Sequence, residues 1–131
     1  MSAFYKRSLT LNGAKDSTFT LGTVTRTSLA LAAQTYAASV VVDTTLPAAM
    51  GAPLTLDLGT VATASVVYVE YTGTLIDITL TDANGASTLS LNYGTNEGVL
   101  LLEGVSVTQI DVRNTDASNT APFFLAAFGA L

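Results

Sequence analysis

Alternation of apolar and polar residues between Ser65 and Tyr93 constrains the fold more than any other feature of this sequence. In the stretch SVVYVEYTGTLIDITLTDANGASTLSLNY, three alternating runs are separated by Thr72-Gly73 and by Asp82-Ala83-Asn84-Gly85. Side chains of a strand point alternately to its two faces, so each run predicts a half-buried β-strand. Asn-Gly tolerates the positive φ angles of a type I′ turn, which predicts a hairpin at the second break.

The three runs together predict an antiparallel meander that buries one face. The residues expected on that face are apolar and share one parity within the second and third runs: Ile76, Ile78, Leu80, Leu89 and Leu91. Because a slip of one residue would turn all of these side chains to water, the pattern also fixes the register of pairing.

The same kind of pattern extends through the rest of the chain. Further strands are predicted, with a turn at Gly104, over Ala3–Leu11, Phe19–Leu31, Tyr36–Leu46, Leu54–Leu58, Val99–Glu103, Ser106–Arg113 and Phe123–Phe128. Short strands dense in β-branched and aromatic residues and separated by turn signals are typical of sandwiches. The sequence therefore predicts an all-β, antiparallel β-sandwich, with a jelly roll of eight or nine short strands as the leading topology.

Length and charge predict one domain with a distinct N-terminal stretch. The chain has 131 residues and only 11% charged residues, which fits a single globular domain. Residues 1–15 carry three cations and no acid, for +3, whereas residues 16–131 carry two cations and ten acids, for −8. We expect residues 16–131 to form the sandwich and residues 1–15 to be either an arm or an edge strand. An acidic body disfavours nucleic-acid binding.

The most apolar stretch of the sequence is LALAAQTYAASVVV, at residues 29–42. Gln34 and Thr35 interrupt it, and it is shorter than the roughly 20 residues that a membrane-spanning helix needs. We therefore expect a soluble protein without a membrane partner.

Catalytic and metal-binding residue types are scarce in this sequence. It has no histidine and no cysteine, so the usual hydrolase triads and zinc sites lack their key groups. Glu70 and Asp77 are a candidate acid–base pair for glycoside hydrolysis if they face each other across neighbouring strands, although solvent-facing positions on alternating strands are the simpler explanation of both. No cofactor is predicted.

Two groups of oxygen-bearing side chains are candidate calcium ligands. Asp82 and Asn84 faintly resemble part of a calcium loop, but a turn explains them better. The richer group is Asp111, Asn114, Asp116 and Asn119. A weak Ca²⁺ site there is one interpretation, and a solvated polar loop is the simpler one.

Tyrosines offer a possible sugar platform, since aromatic rings pack on the apolar faces of pyranoses. Tyr71 and Tyr93 fall in phase with apolar strand positions, which favours packing in a core or an interface. Tyr68 shares its strand face with Glu70. It is therefore the candidate for an exposed ring in contact with a carbohydrate.

Four segments in the second half of the chain follow one another in a recognisable order: LTLDLGTV at Leu54–Val61, VVYVEYTG at Val66–Gly73, YGTNEGVLLLEG at Tyr93–Gly104 and the segment Val107–Phe128. This order resembles that of small β-sandwich proteins of tailed bacteriophage particles. Glu97-Gly98 followed by Leu100–Leu102 stands where that family has a G-E-x-x-L-L step, with the first two residues reversed. Tyr71 replaces a commoner asparagine.

The resemblance implies a non-enzymatic virion structural protein. A capsid decoration subunit that packs on the particle as a symmetric homotrimer, next to the major capsid protein, is the leading expectation. A fibre or tail adhesion module that binds surface carbohydrate is the alternative, and an acid-only hydrolase is a third class. The implied location is the virion, with a soluble form before assembly.

Contacts between subunits are expected at basic and aromatic positions. Lys6 and Arg7 supply charge near the N-terminus, and the segment FFLAAFGAL supplies Phe123, Phe124 and Phe128. Such an apolar segment is costly to leave in water, so it is predicted to be a core strand or a subunit contact.

Overall fold

Ten β-strands make up the regular structure of the residues that the structure describes. The computed structural model describes residues 3–5, 34–72, 75–91 and 97–131. The strands are β1 (Ala3–Tyr5), β2 (Gln34–Tyr36), β3 (Ala38–Leu46), β4 (Leu54–Thr55), β5 (Thr63–Thr72), β6 (Ile76–Asp82), β7 (Gly85–Leu91), β8 (Glu97–Val107), β9 (Gln109–Asn114) and β10 (Ala121–Ala130). No helix in these ranges is long and apolar enough to cross a membrane.

Eight of the strands form two four-stranded antiparallel sheets. Sheet I has the order β3-β10-β5-β8, and sheet II has the order β4-β9-β6-β7. The first strand of the set pairs with the last, the second with the next to last, and so on inward to the β6–β7 hairpin. This wrapped hairpin is a jelly roll, so the predicted sandwich and its leading topology are confirmed.

The predicted three-stranded meander is wrong. β6 pairs with β7 as expected, but β5 pairs with β10 and β8 in sheet I, whereas β6 pairs with β9 in sheet II. The break after Thr72 therefore carries the chain from one sheet to the other. Alternation identifies a strand with one buried face, but it carries no information about which strand lies beside it.

The β6–β7 hairpin turns one residue earlier than the sequence suggested. Its two central residues are Ala83 and Asn84, between the paired Asp82 and Gly85. Of the residues 82–85, Gly85 alone has a positive φ, of 124°, so the turn is not type I′. The backbone N–H of Asn84 donates to Oδ1 of Asp82 at 2.7 Å, which favours this turn over the predicted one.

Gly104 does not end a strand as predicted. β8 continues through it to Val107, with an irregular register against β5 and a φ of 70° at Gly104. The chain instead passes between the sheets at Thr108, whose N–H donates to the carbonyl of Thr81 at 2.8 Å. A glycine with positive φ therefore marks a bulge here, a second common use of that conformation.

The core lies between the two sheets. From sheet I it receives the inward residues of β5 and β10, and from sheet II those of β6 and β9. Its fully buried members include Leu46, Val67, Val69, Ile76, Ile78, Ile110, Val112, Phe123 and Leu125. Tyr71 also faces inward, with its side chain 2% exposed, so it is a core residue.

Burial of the predicted β6–β7 face declines toward the sheet edge. Ile76 and Ile78 are fully buried, Leu80 and Leu91 are half-buried, and Leu89 is 39% exposed. The prediction is therefore right for the central strand and wrong for Leu89. β7 is the outermost strand of sheet II, where less of the opposite sheet covers it.

The N-terminal stretch contributes a short strand outside both large sheets. Ala3–Tyr5 pairs antiparallel with Gln34–Tyr36, in the register Tyr5 with Gln34. The rest of residues 1–15, including Lys6 and Arg7, and the strand predicted at Phe19–Leu31 lie outside the described residues, as does Tyr93.

Candidate functional site

The outward side of sheet I is the candidate site, and we call it the aromatic face. It consists of the alternate residues of β3, β10, β5 and β8 that point away from sheet II. Register places them in three cross-strand rows: Val41–Ala126–Tyr68–Leu101, Asp43–Phe124–Glu70–Val99 and Ser39–Phe128–Val66–Glu103. Directly opposite residues in such rows are close enough for their side chains to interact.

Aromatic rings occupy the two central strands of this face. The ring of Tyr68 meets that of Phe124 edge-on, with centroids 6.3 Å apart and planes at 71°. Phe128 lies 6.3 Å from the ring of Tyr36 at an interplanar angle of 48°. Tyr68, Phe124 and Phe128 are all half-buried, so each ring keeps part of its surface in water.

Aliphatic side chains on the two edge strands extend the apolar surface. Val41 on β3 is 62% exposed, and on β8 Val99 is 65% exposed and Leu101 36% exposed. Three large apolar side chains are thus exposed on the same face of one sheet. A contiguous apolar patch of this kind on a folded protein commonly marks a contact surface.

Three carboxylates lie among these apolar groups. Asp43 and Glu70 flank Phe124 in one row, and Glu103 lies beside Val66 in another. Across the part of the chain that the structure describes, Arg113 is the single cationic side chain, and it belongs to sheet II. The aromatic face is therefore both apolar and negatively charged.

Tyr68 and Glu70 are joined on this face. The hydroxyl of Tyr68 donates to Oε1 of Glu70, which lies on the same side of β5. That hydrogen bond requires the protonated phenol, so it raises the pKa of Tyr68, and partial burial and the Glu70 charge add to the effect. The bond holds the tyrosine ring against the strand.

A shallow open cleft of about 220 Å³ lies at one end of the aromatic face. Its polar groups are Asp43, Glu70 and Thr72, and its apolar walls include Val99 and Phe124. A cleft of this size is below the roughly 300–1,000 Å³ of typical small-molecule sites. It suits a side chain or a single sugar ring better than a larger ligand.

The outward side of sheet II has the opposite character. Its Thr, Asp and Gln side chains bind one another: Thr79 and Thr88 share a hydrogen bond of 2.8 Å, and Asp111 accepts from Gln109 Nε2 at 2.8 Å and from Thr55. Polar groups that bind one another in this way do not form an apolar patch. The two sides of the sandwich are therefore chemically distinct.

The structure sorts the predicted contact residues into two groups. Phe124 and Phe128 lie on the aromatic face together with Tyr68. Phe123 does not, because its side chain points between the sheets and is 1% exposed, so its assignment as an interface residue is corrected to core. Successive residues of a strand point to opposite faces, which separates the two adjacent phenylalanines.

The proposed acid–base pair does not form. Glu70 is on the aromatic face of sheet I, and Asp77 is on the outward face of sheet II, where it lies opposite Ser90 and Arg113. The whole core separates them. The prediction assumed that β5 and β6 are neighbours, and it is wrong for the same reason as the meander.

The candidate calcium group is a hydrogen-bonded loop rather than one cluster. Asp111 lies apart, on β9. Asn114 is fully buried and donates through Nδ2 to the carbonyls of Pro47 at 3.1 Å and Asn119 at 2.8 Å. Oδ1 of Asp116 accepts from the N–H groups of Ser118 at 2.8 Å and Asn119 at 3.0 Å. The loop is thus fastened to the body through Asn114 and Asp116, while residues 117–120 are exposed to solvent.

Sequence reasoning missed the aliphatic and acidic members of the aromatic face. Val41, Val99, Leu101 and Asp43 were not singled out, because β3 and β8 contain apolar residues at both parities. The runs VVV at Val40–Val42 and VLLL at Val99–Leu102 have apolar residues at both parities. Such a run predicts a central strand covered on both faces, which is wrong for Val99–Leu102, because β8 is an outer strand of sheet I and Val99 is 65% exposed.

Comparison with protein-family models, with curated proteins and with solved structures gave no match to this chain. The described ranges also hold no group of three or more side chains that could bind a metal ion. The geometry itself offers an extended apolar surface with acidic groups, which is suited to binding another surface.

Proposed function

We propose that this protein is a non-enzymatic virion structural protein, a capsid decoration subunit that packs on the particle as a symmetric oligomer. The observation that carries the proposal is the aromatic face, an exposed apolar surface across four strands of a jelly roll. The resemblance of residues 54–131 to β-sandwich proteins of phage particles agrees with it.

Physical considerations favour assembly over an isolated subunit. Each Å² of apolar surface removed from water contributes about 25 cal/mol, and Val41 and Val99 are both more than half exposed. A standard protein interface buries roughly 800 Å² on each partner. The area of a whole face of a four-stranded sheet is of that order. This surface is therefore large enough to form an interface with other copies of the chain.

Light scattering of the purified protein at micromolar concentration tests the assembly. We expect a mass of several chains, with a trimer as the leading state. Val41→Asp with Val99→Asp should shift the protein to monomer, because charges replace apolar groups on the contact surface. Thr88→Asp adds a charge on the opposite side of the sandwich and should leave the mass unchanged.

The same samples separate assembly from folding. A cooperative thermal melt of the Val41→Asp/Val99→Asp protein would show that the subunit is intact. A monomeric wild-type protein would contradict the proposed assembly. Cryo-electron microscopy of purified particles that contain this chain would test the virion location, and an absence of jelly-roll density on the shell would contradict the decoration role.

A second function, an adhesion module that binds surface carbohydrate, is favoured by one specific feature. Tyr68 presents part of its ring beside Phe124, next to a cleft that holds the carboxylates of Asp43 and Glu70. Rings combined with carboxylate acceptors suit a sugar. A glycan array tests this: binding that is lost in Tyr68→Ala would support it, and the absence of any bound glycan would count against it.

A further inference from the structure

We infer that the aromatic face binds the basic N-terminal segment, residues 6–26, of a second copy of the chain. This inference rests on the proposed assembly and names the part of the neighbouring subunit that makes the contact. It follows from the charges on the face, from the distribution of cations in the sequence and from the position of β1 and β2.

The charges on the aromatic face disfavour its pairing with itself. Asp43 and Glu70 both lie on it, and no described lysine or arginine does. Two copies packed face to face would bring these carboxylates together in an apolar, poorly screened contact, where like charges repel most strongly. A favourable partner surface must instead present cations together with apolar groups.

Within this sequence, the segment 6–26 has that composition. It contains all the charged residues of residues 1–33: the four cations Lys6, Arg7, Lys15 and Arg26 and the single acid Asp16, for a net charge of +3. Leucine, phenylalanine and valine are interspersed among them. Residues 34–131 contain only Arg113 against nine acids, for −8. Arg113 is also engaged, since its Nε donates to the carbonyl of Met50 at 2.9 Å.

The described residues on either side of the segment lie beside the aromatic face. Tyr5 is paired with Gln34, so the chain before and after residues 6–33 is held at one point. Tyr36, two residues after Gln34, has its ring centroid 6.3 Å from that of Phe128, at the end of the aromatic face. A second copy packed against this face therefore lies beside the start of the segment. At roughly 3.3 Å per extended residue, the segment is long enough to run along a strand of that copy.

Symmetry gives the expected form of the assembly. A contact between two different surfaces, the face of one copy and the segment of the next, is heterologous. Such contacts close into rings when the rotation allows it. The inference therefore favours a cyclic oligomer, in agreement with the expected trimer, over a two-fold dimer.

Charge reversal on separate copies tests the inference. One variant carries Lys6→Glu and Arg7→Glu, and the other carries Asp43→Lys and Glu70→Lys. Each alone should raise the dissociation constant of the oligomer at least tenfold by light scattering. Mixed in equal amounts, they should associate again, because a segment of either variant meets a face of opposite charge on the other variant; in a mixed trimer this restores two of the three contacts. Asp77→Lys, on the outward side of sheet II, is the matched control.

Three results would overturn the inference, and they are distinguishable. An oligomer whose mass is unchanged in both variants would leave the assembly intact and rule out this contact. If mixing the two variants has no effect, and association is restored only when one chain carries all four substitutions, the segment covers the face of its own subunit. A monomeric wild-type protein would contradict the proposed function and the inference together. Thermal melts of each variant verify that it folds.

Discussion

Adjacent phenylalanines on β10 have different environments and should respond differently to substitution. Phe123 lies in the core at 1% exposure, whereas Phe124 is half-buried beside Tyr68 on the aromatic face. Phe123→Ala should lower the free energy of unfolding by about 3–5 kcal/mol, as for other buried aromatic residues. Phe124→Ala should lower it by clearly less and should weaken assembly. Urea denaturation and light scattering measure the two effects, and equal losses of stability would contradict the assigned orientations.

Also at the scale of single residues, the Tyr68–Glu70 hydrogen bond predicts a pH effect at the alkaline end. The bond raises the pKa of Tyr68 above its ordinary value of 10.0. The contribution of this bond to stability is therefore complete at pH values below the pKa that Tyr68 has in the unfolded state. It is lost as the pH rises through the higher pKa that Tyr68 has in the folded state. Because the ring is partly exposed, the effect should be small.

Tyrosinate absorbance measures this shift directly. The difference between the wild-type and Tyr68→Phe titrations isolates Tyr68, and Glu70→Gln should move that titration to lower pH by removing the charged acceptor. A Tyr68 titration that is identical with and without Glu70 would show that the hydrogen bond is absent in solution.

At the scale of elements, β10 and β5 approach each other very closely at one point. The register shifts between Phe128 and Gly129, and a Cβ at Gly129 would lie far inside van der Waals contact of the Thr63 carbonyl. Gly129→Ala should therefore force the central strands of sheet I apart and cost at least about 1–3 kcal/mol. Gly51→Ala is the control, because nothing lies within 4 Å of its Cβ. Equal stability of the two variants would contradict this packing.

The strands themselves could be predicted from sequence, but their partners could not. Alternation identified β5, β6 and β7 and the burial of Ile76 and Ile78. It assigned β5 to the wrong neighbour, because the pairing of distant segments depends on how the whole chain wraps and not on local pattern. The outward face was equally hard to assign. β10 has Phe123 at one parity and Phe124 at the next, and only the position of sheet II decides which is core.

At the scale of the whole molecule, the jelly roll is complete within β3–β10. β1 pairs only with β2, outside both four-stranded sheets. Deleting residues 1–15 should therefore leave a folded, all-β subunit while it weakens attachment between copies. Circular dichroism and a thermal melt check the fold, and light scattering checks the attachment. A truncated chain that loses most of its stability would show that Ala3–Leu11 is an integral edge strand.

The nested strand pairing also determines when the molecule can form during synthesis. β10 lies between β3 and β5 in sheet I, and its Ala121 is paired with Leu46, far back in the chain. Until residue 130 has left the ribosome, β3 has no partner in that sheet and the core is open on one side. Local pairing can start at the β6–β7 hairpin, but sheet closure must wait for β10, so the decisive step of folding joins distant segments and is slow for a chain of this length.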